Sequence, residues 1–332
     1  MSEQQTALIT GITGQDGSYL AELLVGKGYR VVGVTTESGK GHLDNLTHVQ
    51  DQIELIKGEI TDRSFLLDQV KTHMPDEIYN LASVSSVGSP WEDTEKLVEL
   101  TALVPLSFLE IIRHYEPKTR FFQASSAEMY GDVTESPQTE ETPMRPRNPY
   151  GLSKVFAHSM VELYRNAHNL FAVSGILFNH ESSRRRDEFV TKKIVTTLAK
   201  VKQGDAKELT IGNLEAQRDW SFAGDIVEAM WRALQHDRPL SYVLASGQVH
   251  TVREFIEVAA SVLSLSLTWE GEKENEIGKN EKGDIIVRVD PKFYRPAEVH
   301  VRQGDISRIK KELGWTPKTS FEELVRLMVM EK

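Results

Sequence analysis

A tyrosine and a lysine one helical turn apart are the first residues that suggest chemistry. The segment "NPYGLSKVFAH" contains Tyr150 and Lys154, and in a helix this spacing puts both side chains on one face. A lysine ammonium beside a tyrosine stabilises the phenolate and lowers the pKa of the phenol, which makes a base for a hydroxyl proton. The alternative is a surface pair, because these residue types often fall at this spacing by chance.

A single carboxylate stands in a second segment, "QASSAEMYG" (123–131), directly after a run that is typical of a buried strand. Ser125 and Ser126 end the strand, and Glu128 follows between small residues. Glu128 is either a solvated loop charge or a general base. Its role decides which reaction this chain would perform.

A glycine-rich turn, "TGITGQDGSYLAELL", follows the first predicted strand and precedes a helix that begins near Asp16. Its glycines allow close backbone approach to a pyrophosphate, and the helix start offers free N–H groups. The GxxGxxG spacing resembles the short-chain dehydrogenase/reductase superfamily, whose cofactors are nicotinamide dinucleotides. The residues assigned to the cofactor are Gly11, Thr13, Gly14, Gln15, Asp16, Gly17, Glu37, Asp62, Leu81, Tyr150 and Lys154.

Two acidic residues bear on the choice of dinucleotide. Glu37, in "GVTTESGKGH" after the second predicted strand, would repel a 2′-phosphate and therefore favours NAD over NADP. The alternative is a surface loop in which Glu37 contacts nothing. Asp62, after "KGEIT", is placed to accept from the adenine amino group and equally well to cap the next helix.

Alternating elements in the first half of the chain must position these residues. Short β-branched runs alternate with amphipathic segments, and they lie at 6–10, 30–35, 53–58, 77–82, 120–125 and 171–178. The alternation predicts a parallel sheet with helices on both faces, which is a doubly wound, Rossmann-type α/β fold. Further helices are predicted at 91–115, 189–203, 226–236, 252–263, 307–313 and 321–330, and the polar stretch 270–284 is predicted to be a mobile surface loop.

Composition excludes several classes of protein. The chain has 332 residues with 49 acidic and 39 basic side chains, and its net charge of −10 disfavours binding to nucleic acid or to anionic membranes. It has no cysteine, so disulfides and thiolate metal sites are excluded, and no metal site is expected. The N-terminal "MSEQQTALIT" lacks a signal-peptide pattern, and we expect a cytoplasmic protein.

Many blocks of the sequence resemble one family, the GDP-mannose 4,6-dehydratases, which are extended members of the same superfamily. The resemblance runs from about Thr6 to Met330, and the blocks "FNHES", "FVTKKI" and "RDW" are specific to the family. The other blocks that follow its pattern in order are "ALITGITGQDGSYLAELL", "IYNLASVSSVGSPW", "QASSAEMYG", "NPYGLSK", "TVREFIEVA", "YRPAEV" and "LGWTPKTSFEELVRLMV".

The resemblance implies a role for each matching residue. Ser126 would orient the C4 hydroxyl of the sugar, Tyr150 would take its proton with Lys154 as electrostatic partner, and Glu128 would take the C5 proton. The residues implied for nucleotide-sugar binding are Ser85, Asn179, Val190, Lys193, Arg218, Arg295 and Glu298. For Arg218 and Arg295 the alternative is a surface ion pair.

The implied reaction belongs to deoxysugar biosynthesis and is a hydro-lyase reaction. Oxidation at C4 by hydride transfer acidifies the C5 hydrogen, loss of the C6 hydroxyl gives an enone, and hydride returns at C6 from the recycled NAD or NADP. GDP-mannose would thus become GDP-4-keto-6-deoxymannose. Residues 1–178 would form the NAD(P)-binding domain with the catalytic residues, and 179–332 the nucleotide-sugar lobe, with helix 226–237 and strand 242–245 packing back on the first domain.

Departures from the family pattern leave alternatives open. Thr36, Glu37 and Ser38 stand where the family carries arginines, which favours NAD and a homodimer over NADP and a tetramer. Ala127 occupies the slot of an acid in related dehydratases, so Glu128, Tyr150 or a water must protonate the leaving hydroxyl. Other changes near the sugar keep GDP-manno-heptose as an alternative substrate. An epimerase or reductase, and a non-catalytic nucleotide-sugar sensor, are the alternative functions.

Overall fold

The computed structural model describes residues 4–36, 43–83, 93–294 and 301–331. Its strands are β1 (Thr6–Thr10), β2 (Arg30–Thr35), β3 (Ile53–Lys57), β4 (Glu77–Asn80), β5 (Arg120–Ser126), β6 (Ala172–Leu177), β7 (Asn179–Glu181), β8 (Leu209–Ile211), β9 (Gln217–Arg218), β10 (Trp220–Phe222), β11 (Tyr242–Leu244), β12 (His250–Thr251), β13 (Thr268–Glu270), β14 (Ile277–Lys279) and β15 (Ile285–Val289). Its α-helices are α1 (Gln15–Gly26), α2 (Arg63–His73), α3 (Thr94–Val98), α4 (Val104–Tyr115), α5 (Pro149–His168), α6 (Val190–Gln203), α7 (Ala223–Gln235), α8 (Val252–Val262), α9 (Ser307–Leu313) and α10 (Phe321–Met330).

The main sheet has seven parallel strands in the order β11-β6-β5-β4-β1-β2-β3. Every residue of β1 and β6 is buried, because helices cover both faces of the sheet, and this explains their nearly continuous apolar sequences. The predicted doubly wound Rossmann-type fold is therefore confirmed. Strands β3, β4 and β6 are a residue or two shorter than their predicted runs.

Helices pack on the two faces of this sheet through separate apolar clusters. On one face, Leu20 and Leu24 of α1 share a cluster with Ile226 and Met230 of α7. On the other face, α2 and α4 pack together through residues such as Phe108. Strand β11 and helix α7 thus lie on the main sheet although they follow residue 179. The division of the chain at residue 178 stays a prediction.

Apart from α7, β11 and α9, whose Ile309 belongs to the α1–α7 cluster, most elements beyond β6 form a second layer of mixed structure. A four-stranded sheet, β13-β14-β15-β8, shares an apolar cluster with α6, α8 and α10. Trp220, Phe255 and Phe321 are buried in this cluster, and the Trp220 and Phe255 rings meet edge to face with centroids 5.3 Å apart, a favourable aromatic geometry. The helices predicted here are present, and α7 begins earlier than predicted, at Ala223.

The segment 270–284, which was predicted as a mobile surface loop, contains β14 and the last residue of β13. Strands β13 and β14 pair antiparallel, with Glu270 opposite Ile277, and the Lys279 ammonium lies 2.6 Å from the Glu270 carboxylate. Backbone hydrogen bonds hold this hairpin at the edge of its sheet, where much of the side-chain surface faces water. Its sequence is therefore polar and lacks the apolar alternation by which strands are recognised.

The predicted helix 91–115 begins, within the described residues, at Thr94, where the Asp93 carboxylate caps it by accepting from the Lys96 N–H. A π-helical turn at Glu99–Leu103 joins α3 to α4. Pro105, at the start of α4, has no N–H to donate to the preceding turn. The missing N–H interrupts the hydrogen-bond pattern of the α-helix, and a π-helical turn accommodates an interruption of this kind.

None of the helices in the described ranges is long and apolar enough to cross a membrane.

Candidate active site

The carboxyl ends of the main sheet border a cavity of about 1310 Å³. Parallel strands present their loops at one edge, which is where ligands bind in this type of fold. The cavity exceeds the roughly 300–1,000 Å³ typical of a site for one small ligand, so it has room for a dinucleotide and a second molecule. The predicted site residues that line it are Gly11, Thr13, Gly14, Gln15, Asp16, Gly17, Leu81, Ser126, Glu128, Tyr150, Lys154 and Asn179.

The glycine turn between β1 and α1 is tight enough to require glycine. Gly11 has φ +71°, and a Cβ there would lie 2.9 Å from the Ala82 backbone nitrogen. A Cβ on Gly17 would lie 2.3 Å from the Gly11 carbonyl oxygen. Gly14 is the N-cap of α1 and supplies no side-chain acceptor, so N–H groups at the helix start remain available to an anion. These residues fit the pyrophosphate of a dinucleotide.

A buried ion pair stands beside this turn. The His180 ring donates from Nε2 to the Asp16 carboxylate at 2.9 Å and from Nδ1 to the Phe178 carbonyl at 2.7 Å. Because both partners are acceptors, the imidazole carries both protons and a positive charge. Burial by itself lowers the pKa of His180, but the charge and hydrogen bond of Asp16 outweigh it and the pKa is raised. The sequence alone did not single out His180.

Helix α5 carries the Tyr150–Lys154 pair, and its start packs against the 3₁₀ turn that contains Glu128. The Asn148 side chain caps α5 by accepting from the Gly151 N–H at 2.7 Å. A Cβ on Gly151 would lie 2.7 Å from the Glu128 carbonyl oxygen. The glycine therefore permits the contact that brings Tyr150 and Glu128 into one cavity.

We expected Lys154 to lower the pKa of Tyr150, but without bound ligands the pKa of Tyr150 is raised. Burial raises the pKa of Tyr150 to about 12, although hydrogen bonds from Ser126 and Ser83 act in the opposite direction. Lys154 lies with its ammonium 5.6 Å from the Tyr150 ring centre and donates to the Ala124 carbonyl at 2.7 Å. Burial lowers the pKa of Lys154 to about 8. Desolvation thus outweighs the attraction that the helical spacing suggested.

Glu128 lies on the 3₁₀ turn Ala127–Met129, directly after β5. The Ser126 hydroxyl caps this turn by accepting from the Glu128 N–H at 3.2 Å. Arg302 donates from Nη1 to Oε1 of Glu128, and the Asn148 amide lies 3.5 Å from Oε2. Glu128 is consequently neither a solvated charge nor isolated, since it is held in a partly buried ion pair.

Other predicted site residues lie elsewhere or outside the described ranges. Asp62 caps α2 by accepting from the Ser64 N–H at 2.8 Å, and it does not line the cavity. Three residues predicted for the nucleotide also do not line it, namely Val190, Lys193 and Arg218. Lys193 lies 5.1 Å from the Phe293 ring centre. The residues outside the described ranges are Glu37, Ser85, Arg295 and Glu298.

The cavity is also lined by several cationic residues to which the sequence analysis had assigned no role. They are His180, Arg184, Arg185, Arg186 and Arg302. The run of three arginines after "FNHES" is a visible signal, because arginines suit diphosphates. No local signal marks Arg302, since its partner is 174 positions away in the chain.

The fold and the glycine turn define a nucleotide-binding protein of the short-chain dehydrogenase/reductase type. The structure is similar to dTDP-glucose 4,6-dehydratase from Bacillus anthracis in complex with NAD, with TM-score 0.79 and 22% identity over 98% of this chain and 95% of that chain. It is also similar to RMD from Pseudomonas aeruginosa complexed with NADPH, with TM-score 0.78 and 23% identity over 98% of both chains.

The chain belongs to the GDP-mannose 4,6-dehydratase family. The family model described as GDP-mannose 4,6 dehydratase matches residues 8–328. The chain is 45% identical to the GDP-mannose 4,6 dehydratase of Cricetulus griseus and 44% identical to that of Homo sapiens, in each case over 98% of this chain and 91% of the relative. The resemblance seen in the sequence blocks is confirmed.

Proposed function

We propose that this protein is a nucleotide-sugar 4,6-dehydratase that converts GDP-mannose to GDP-4-keto-6-deoxymannose with loss of water. The observation that carries this proposal is the position of Glu128, which lines the same cavity as Ser126, Tyr150 and Lys154. An epimerase or a simple reductase needs no carboxylate at this point. Family membership supports GDP-mannose as the substrate.

The glycine turn, the start of α1 and the cationic wall at His180 support a nicotinamide dinucleotide in the cavity. When bound, this cofactor supplies hydride exchange, by accepting a hydride from C4 of the sugar and returning it at C6. Tyr150 takes the C4 hydroxyl proton, and the Ser126 hydroxyl orients the sugar at the same oxygen. Lys154 contributes positive charge that favours the phenolate during this transfer.

Glu128 takes the C5 hydrogen as a proton. The C5–H bond breaks, an O–H bond forms on the carboxylate, and the electron pair is delocalised into the C4 ketone. When the C6–O bond breaks, these electrons form the C5–C6 double bond. The protonated Glu128 then donates to the departing hydroxyl, which leaves as water. We assign this second transfer to Glu128 because Ala127 offers no acid. Return of the hydride at C6 moves the electron pair of the double bond to C5, and C5 takes a proton that comes from solvent.

The GDP-manno-heptose alternative is supported by small side chains in the cavity that contains Glu128. Ser83 and Ala127 both line the cavity, and neither would obstruct a longer substituent at C5. The same protons would move in the same order, because C4 to C6 of the two sugars carry the same reacting groups.

Incubation with a panel of nucleotide sugars tests the proposed function. The enzyme is mixed with GDP-mannose, GDP-manno-heptose, UDP-glucose and dTDP-glucose, and loss of water is followed by mass spectrometry. We expect the mass of water to be lost from a GDP-sugar and not from the UDP- or dTDP-hexoses. Epimerised or reduced products without loss of water would overturn the assignment, and binding without any turnover would favour the sensor.

We further propose that NAD is the preferred dinucleotide, because Glu37 follows β2 and its charge opposes a 2′-phosphate. We expect NAD to bind at least about tenfold more tightly than NADP, a difference of about 1.4 kcal/mol. Calorimetric titration of both dinucleotides measures this ratio. Glu37→Ser should narrow it, and tighter binding of NADP to the unmodified protein would remove the role given to Glu37.

We also propose a homodimer formed through the helical segments near 91–115 and 150–165, in a protein that we place in the cytoplasm. Exposed apolar residues support this surface, since Leu103 of the π-helical turn and Leu152 and Phe156 of α5 border a groove of about 580 Å³ between these two segments. Apolar patches of this kind mark interfaces, and a second copy related by a two-fold axis would bury the same patch on both subunits.

Leu152→Glu is expected to convert the dimer to a monomer, because it would bury two unpaired carboxylates at a two-fold interface. Light scattering after gel filtration measures the mass. Met330→Glu, at an exposed position on α10, is the matched control and should leave the mass unchanged. A monomeric unmodified protein would contradict the proposal, and a tetramer would require a second interface.

A further inference from the structure

Arg302 and Glu128 form an ion pair at the wall of the cavity. The Glu128 side chain is 25% exposed and that of Arg302 is 17% exposed, and both line the cavity. An ion pair shielded to this degree interacts more strongly than the surface pairs that contribute little to stability. Its position beside the candidate base makes it a part of the site that the sequence did not reveal.

The backbone that carries Arg302 is anchored on one side by Gln138, a fully buried residue. Gln138 accepts from the Gln303 N–H at 3.0 Å and donates to the carbonyls of Gln303 and Val301 at 2.7 and 3.2 Å. The Asp305 N–H donates to the Gln138 carbonyl at 2.8 Å. Arg302 is therefore flanked on both sides by hydrogen-bonded residues.

A second anchor holds the same segment at Gly304. Its N–H donates to the Asp219 carboxylate at 3.1 Å. A Cβ on Gly304 would lie 2.4 Å from Cβ of Ala245, so the segment packs tightly beside the end of β11. Two independent attachments to the fold thus fix the point from which the guanidinium reaches Glu128.

From this geometry we propose that Arg302 is a positioning residue, which orients the Glu128 carboxylate for removal of the C5 proton. Arg302 holds Oε1. The contact of Oε2 with Asn148, at 3.5 Å, is longer than an ordinary hydrogen bond of about 2.7–3.2 Å. Oε2 is thus the oxygen left to form the new O–H bond. The inference rests on the proposed function, because it assigns a task to Glu128.

The positive charge of Arg302 also supports its assignment as a positioning residue for Glu128. When the C5–H bond breaks, the electron pair moves toward the C4 carbonyl oxygen and the carboxylate becomes a neutral acid. The Arg302 guanidinium carries a positive charge and takes no part in the proton transfer. A fixed cation then remains beside the negative charge that develops on the sugar, which is the arrangement that lowers such barriers.

Kinetics of Arg302→Gln and Arg302→Lys on the substrate found with the sugar panel test this inference. We expect Arg302→Gln to lower kcat about 10- to 100-fold, because small misplacement of a reacting group has effects of this size, with KM changed less than about threefold. Arg302→Lys should recover part of kcat. With substrate deuterated at C5, the isotope effect on kcat should rise in Arg302→Gln, because proton removal then limits turnover.

Arg308→Gln is the matched control. Arg308 forms ion pairs with Glu140 and Glu141, does not line the cavity, and should leave kcat and the isotope effect unchanged. A raised KM with unchanged kcat would show that Arg302 binds substrate and would overturn the proposal, as would a loss of thermal stability with normal kinetics. If the unmodified protein dehydrates no GDP-sugar, the proposed function itself fails. This outcome is distinct from the two results that would overturn only the role of Arg302.

Discussion

Glu128→Gln is expected to abolish formation of the 4-keto-6-deoxy product while leaving substrate binding and the first oxidation intact. The amide has the shape of the carboxylate but cannot accept the C5 proton. Loss of a general base lowers turnover by about 10²–10⁴-fold, and we expect the upper part of this range because Glu128 also protonates the leaving hydroxyl. Mass spectrometry of the reaction in D₂O checks both steps, since the normal product should carry solvent deuterium at C5.

The control for this variant is Glu141→Gln, which removes an exposed carboxylate that pairs with Arg308. It should behave as the unmodified enzyme. In Glu128→Gln we expect a bound 4-keto sugar that retains its C6 hydroxyl and its original C5 hydrogen. Undiminished loss of water from this variant would refute the role of Glu128 and would return the chain to the epimerase and reductase alternatives.

Tyr150→Phe is expected to block the reaction one step earlier. Among the described residues of the cavity, Tyr150 is the one that we assign to the C4 hydroxyl proton, so without its phenol the ketone does not form and the C5 hydrogen stays non-acidic. We expect kcat to fall by about 10²–10⁴-fold, equivalent to about 3–5 kcal/mol of barrier. Neither 4-keto sugar nor reduced cofactor should accumulate, which ultraviolet absorbance and mass spectrometry measure.

Tyr164→Phe is a matched control on the same helix. Tyr164 donates to Glu110 and does not line the cavity, so its loss should leave turnover unchanged. Accumulation of a 4-keto intermediate in Tyr150→Phe would contradict the order of the two bases. The pair of variants therefore separates oxidation at C4 from elimination across C5 and C6.

Local patterns in the sequence predicted most of the main sheet and much of the site. The β-branched runs are recognisable because strands of a parallel sheet are buried on both faces, and such burial leaves a continuous apolar signal. The glycine turn, and Tyr150 with Lys154, were predictable because each depends on residues within one or two turns of chain. The polar strand β14 and the last residue of β13 lack such a signal, and they fell in the segment predicted as loop.

The pKa of Tyr150 shows the limit of reasoning from spacing. The helical interval to Lys154 correctly indicates that both residues share one face, yet the direction of the shift depends on how deeply the phenol is buried. Burial is a property of all the elements that surround a residue. A pair of positions in the chain carries no information about it.

By itself the sequence determined the parallel sheet, the nucleotide turn, the candidate acids and bases, and the family to which the chain belongs. Only the tertiary structure decided what surrounds those groups, which includes the Asp16–His180 pair, the raised pKa of Tyr150 and the contact of Arg302 with Glu128. The physical reason is the distance along the chain between the residues that interact. Helix, turn and strand patterns arise from neighbours in the chain, whereas charge pairing and desolvation arise from segments that meet only when the lobes fold together.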